Sequence, residues 1–106
     1  MSGQETFGQN VEAILASSTA KLRGLSYEQA KALPETTSED RMVGPYKCAV
    51  STFHQQIEND RHLLTVQIAR RRLFGLFSQH WERGVIYAPQ EAPREATAEE
   101  LQNHGG

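Results

Sequence analysis

Read at a period of two, the stretch from Tyr46 to Tyr87 looks like an antiparallel β-meander, and this constrains the fold more than any other feature of the chain. The stretch holds most of the large apolar side chains, the sole Cys and Trp, and His54, His62 and His80. Tyr46, Cys48, Val50 and Thr52 point to one side of a strand, and Lys47, Ala49 and Ser51 to the other. Phe53 breaks the pattern. After a polar loop, Leu64, Val66 and Ile68 again occupy even positions, opposite Thr65 and Gln67. If both even sets share the buried face, paired residue numbers add to an even number and the hairpin loop has an odd length. A loop of Ile57-Glu58-Asn59 puts Asn59 at the left-handed position, which Asn tolerates better than most residues. That register pairs Val50 with Val66, Cys48 with Ile68 and His54 with His62.

Past Ile68 both faces turn apolar. Arg70-Arg71-Arg72 leads into Leu73-Phe74-Gly75-Leu76-Phe77, and a strand here has to be covered on two sides. Gly75 suits a bulge or bend. A helix over about 70–82 competes, because Leu73, Phe77 and Trp81 are spaced four apart and Gly84 can end it. The strand is preferred because Val85-Ile86-Tyr87 needs a partner, which a short return around Glu82-Arg83-Gly84 supplies.

Ahead of this stretch, Thr6 and Gln9 have capping-box spacing, and Phe7, Val11, Ile14, Leu15 and Leu22 form a helical stripe. Lys21, Arg23 and Gly24 suit its end, so a helix is expected over about 7–23. Ser26 and Gln29 begin a second, short helix over about 27–33, which Pro34 stops. Residues 35–40 are polar and read as a loop, with Gly44-Pro45 opening the first strand. The predicted fold is α+β: two helices packed on a three- to four-stranded antiparallel meander over about 44–88, with helix 7–23 on the even-numbered face. Residues 1–88 form the single domain. Residues 89–106 are a largely mobile acidic tail, with room for a short helical turn at the Thr97/Glu100 box.

A length of 106 residues fits one domain, and an apolar fraction of 38% sustains a core once the polar ends are set aside. The net charge of −2 gives no global pull toward nucleic acid or acidic lipid. Charge is unevenly placed, however: residues 61–88 carry five Arg against Glu82, whereas both ends are acidic. One cysteine makes no internal disulfide, the N-terminus has no basic start with an apolar run, and no segment is long enough to span a bilayer. A small soluble cytoplasmic protein is expected.

No motif for chemistry stands out. In the register above, His54 and His62 face each other, with Glu58 and Asp60 in the loop. They are candidate zinc or nickel ligands, or a pH-sensitive pair, but a third fixed ligand is missing and no cofactor is expected. Cys48, mid-strand on the apolar face, reads as an inert thiol, and no nucleophile elbow exists. Arg70, Arg71 and Arg72 beside Phe74, Phe77 and Trp81 suggest phosphate binding and base stacking, yet strand alternation sends Arg71 away from its neighbours, which argues against nucleic acid. Apolar surface at Leu73, Phe74, Leu76, Phe77 and Trp81, rimmed by arginine, points instead to a protein partner, most simply a homodimer. The expected function is a small non-enzymatic binding or assembly module. The alternatives are a small enzyme or ligand-binding protein using His54, His62 and Tyr46 between helix and sheet, and a nucleic-acid binder.

Overall fold

The computed structural model describes residues 3–44, 46–71 and 78–104. Its elements are α1 (Gly3–Arg23), α2 (Tyr27–Lys31), β1 (Thr36–Val43), β2 (Tyr46–Ile57), β3 (Arg61–Arg71), β4 (Ser78–Tyr87), β5 (Arg94–Glu95) and α3 (Ala98–His104). The strands form one antiparallel sheet in the order β1-β2-β3-β4-β5. This is the expected α+β meander, with an extra strand at each edge. No described helix is long and apolar enough to cross a membrane.

Helix α1 lies on the even-numbered face of β2 and β3, as its stripe predicts. Phe7, Val11 and Leu15 close over Cys48, Val50, Val66 and Ile68 in one buried cluster. The helix starts at Gly3, so Thr6 lies inside it rather than capping it. Adding residues to a formed helix is cheap, and Gln4 and Glu5 are good helix formers. The Ser26/Gln29 box forms in both directions and starts α2, which ends sooner than expected, with Ala32 as its C-cap. Ala30 of α2 joins Leu64, Val85 and Tyr87 in a second cluster, into which Leu25 also folds. The Tyr87 hydroxyl is shared between the carbonyls of Leu22 and Leu25, which fixes the last turn of α1 to β4.

Strand β1 replaces the expected loop. All of its residues except Val43 are exposed, so it carries no pattern of burial to betray it. Backbone pairing with β2 holds it, helped by buried Val43 and by the Ser38–Ser51 hydroxyl contact, and Gly44 (φ 60°) makes the turn that was expected to open the first strand.

The β2–β3 register differs from the expected one by two residues. Val50 pairs with Ile68, Thr52 with Val66 and His54 with Leu64. Parity is kept, so the same side chains stay inside. The slip lets Ile57 remain in the strand and pack on the Leu63–Ile86 cluster, while Asn59 and Asp60 take the left-handed positions (φ 61° and 60°).

The expected return at Glu82-Arg83-Gly84 is absent. β4 runs straight through these residues, and the chain reverses between Arg71 and Ser78, which pair. The helical alternative fails over Ser78–Glu82, which is strand. Leu73, Phe74, Gly75, Leu76 and Phe77 lie outside the described residues.

Gly84 serves packing instead. Helix α3 crosses the odd-numbered face there, and Leu101 buries itself with Leu63 and Ile86. A Cβ on residue 84 would stand 2.7 Å from Leu101 Cδ2, 3.2 Å from Leu63 Cδ1 and 3.3 Å from Ala96 Cβ. The Thr97/Glu100 box forms, and Arg94 of β5 grips Glu100 through two bonds of 2.8 and 2.7 Å. These partners, the Arg94 fork first, hold the Glu100 carboxyl down at about 2.

Gly84→Ala is therefore expected to destabilise the fold by about 1 kcal/mol, because overpacking outweighs the strand preference of Ala. In a Leu101→Ala background the same change should cost measurably less. Thermal unfolding of the single and double variants checks this, and additive costs would contradict the packing of α3 on Gly84.

Candidate functional site

The even face has a polar end beneath α2. His54 lies opposite Leu64 and His62 opposite Gln56, so the two histidines are diagonal rather than direct neighbours. Their rings still meet, with His54 Nε2 2.7 Å from His62 Nδ1. His54 Nδ1 is 2.8 Å from the Leu33 carbonyl. A carbonyl only accepts, so His54 Nδ1 carries a proton. With both rings neutral, His54 Nε2 is then the acceptor and His62 Nδ1–H the donor. The Leu33 carbonyl is free for this role because α2 has already ended and Pro34 follows.

Tyr27 of α2 completes the end. Its ring meets His62 edge-on at 5.6 Å, and its hydroxyl donates to the Asp60 carbonyl at 2.6 Å. His62 is 4% exposed, and burial pushes its pKa down. Nearby His54 and Lys31 push the same way, against a smaller pull from Asp60. A hollow of about 590 Å³ opens here, lined by Tyr27, Lys31, His54, Asp60, His62 and Pro89 among others.

As metal ligands the pair is poorly disposed. The two facing nitrogens are spent on each other, and among the described residues no group of three His, Cys, Asp or Glu side chains could hold an ion. Of the two loop carboxylates only Asp60 lines the hollow.

Tyr46, expected beside the histidines, is at the opposite end of the face. There Phe7 packs edge-on against Tyr46 (5.1 Å) and Trp81 (5.4 Å). The Arg70 guanidinium carbon sits 3.6 Å from the centre of the Tyr46 ring and 5.2 Å from that of Phe7. Arg70 is thus engaged by its own chain, and half-buried Trp81 packs on the α1 cluster. Cys48 beneath them is 1% exposed, and burial raises its pKa despite Arg70. Arg71 is the last residue of β3. Arg72, Leu73, Phe74, Leu76 and Phe77 lie outside the described residues.

Sequence reasoning placed the histidines together but missed Tyr27, Lys31 and the Leu33 carbonyl. The box at Ser26 marked where α2 starts, yet nothing local says over which strand it lies. Compared with known proteins, the chain matches no family model, no curated protein and no solved structure.

The His62 shift makes stability depend on pH. The unfolded chain takes up this proton near pH 6.5, whereas the folded chain does so only at lower pH. Folded protein then binds fewer protons in that interval, so stability is full above about 6.5 and falls on acidification until the folded group titrates. Melting temperature is expected to drop between about pH 7.5 and about pH 5.5. In His62→Gln, which keeps a donor but does not titrate, the drop should be smaller; equal drops would rule out His62 as the source.

Proposed function

We propose that this chain is a non-enzymatic binding or assembly module of the cytoplasm that self-associates. The observation that carries the reading is β1, a full-length edge strand exposed at all positions but Val43 and paired on one side only. Such an edge is a row of backbone donors and acceptors ready for another chain. The apolar residues Leu73, Phe74, Leu76 and Phe77 offer a second contact region by their composition. A cytoplasmic setting agrees with a single, buried thiol and no disulfide. Sedimentation velocity over a hundredfold concentration range, about 1–100 μM, tests this. A concentration-dependent rise from monomer to a larger species is expected; one monomeric species throughout would refute self-association.

A second reading draws on the imidazole pair. The open hollow above His54 and His62, with Lys31 and Asp60 at its rim, suits a small polar ligand better than it suits a metal. Titrating zinc and a panel of small carboxylates while following the imidazole NMR signals distinguishes the two readings. A nucleic-acid reading has less support, since Arg70 is stacked on Tyr46.

A further inference from the structure

The β1 edge is specific enough to name its partner. The His54 N–H donates to the Glu35 carbonyl, so residues 35 and 54 are a hydrogen-bonded pair. Pairs alternate along an antiparallel ladder, which makes residues 37, 39, 41 and 43 the ones bonded to β2. The N–H and C=O groups of Thr36, Ser38, Asp40 and Met42 therefore point outward from the sheet. The other edge is less open, because β5 occupies β4 at Val85 and Ile86.

We propose that a second copy of this chain docks on that edge, β1 against β1 antiparallel about a two-fold axis at Asp40, so that Glu39 of each copy faces Arg41 of the other. The inference rests on the self-association proposed above and identifies its surface.

Geometry and charge select this register. Outward groups must meet outward groups, so even residues pair with even ones. Two such registers overlap the strands most fully. One is centred on Glu39 and sets the two Glu39 carboxylates side by side, in a closely spaced pair not bridged by backbone hydrogen bonds. The other is centred on Asp40. It places Glu39 opposite Arg41 twice, again in closely spaced pairs, and Ser38 opposite Met42. The two Asp40 side chains then meet on the opposite face, where each has Lys47 of its own chain 3.6 Å away as a counter-charge. Glu39 and Arg41 are both exposed and project on the helix side of the sheet, since they pair with Val50 and Cys48 of that face. Met42, 61% exposed in one copy, gains a neighbour. The product is one continuous sheet with twice the five strands of a single chain.

Charge exchange tests this on the full chain. Glu39→Arg alone sets Arg opposite Arg, and Arg41→Glu alone sets Glu opposite Glu. Each variant is expected to weaken the dimer at least about tenfold by sedimentation equilibrium, with an unchanged circular dichroism spectrum. An equimolar mixture of the two restores complementary pairs and should regain wild-type affinity as a heterodimer. Wild-type dimerisation that neither substitution weakens, or a mixture no tighter than its parts, would overturn the β1 register while leaving self-association standing. A wild-type chain that stays monomeric would overturn both.

Discussion

Strand β3 is the constraint on which the rest depends. All three apolar clusters draw on it: Val66 and Ile68 in the first, Leu64 in the second and Leu63 in the third. From His62 to Val66 every residue is buried, so both faces of the strand are covered. Burying a Leu, Val or Ile side chain is worth about 1.5–3 kcal/mol. Leu63, Leu64, Val66 and Ile68 together are thus worth on the order of 10 kcal/mol, as large as the whole net stability of an ordinary domain. α1 and α2 share the task on one side, and α3 takes it on the other.

The helix-covered face is divided along its length. At one end Phe7, Tyr46 and Trp81 hold the Arg70 guanidinium against aromatic rings. At the other, two imidazoles share a hydrogen bond under Tyr27. Beside His62, its cross-strand partner, Tyr87 satisfies through its hydroxyl the carbonyls where α1 stops. Polar groups are admitted to this layer where a specific partner awaits them. Among the described residues, no fully buried side-chain nitrogen or oxygen lacks one.

Much of the fold was legible because burial leaves a period. The stripe Phe7, Val11, Leu15 marked α1, and the even positions of β2 and β3 marked the face it covers. Even the two-residue error in register left that face intact, since parity alone decides it. β1 was illegible for the converse reason: a strand wet on both sides has nothing to repeat. Gly84 misled because glycine marks both turns and close approaches, and only the position of Leu101, far along the chain, tells them apart. The histidine pair was found by a wrong register, and its contact survives because imidazoles are long enough to meet diagonally. The Leu33 carbonyl, a backbone group, could not have been found from side-chain identities.

The lone thiol has one further consequence. Cys48 lies under α1, 1% exposed, and burial raises its pKa, so in the closed structure it offers a disulfide reagent little surface and little thiolate. Its rate of modification is thus a clock for how often the structure around β2 opens, built into the molecule without any label.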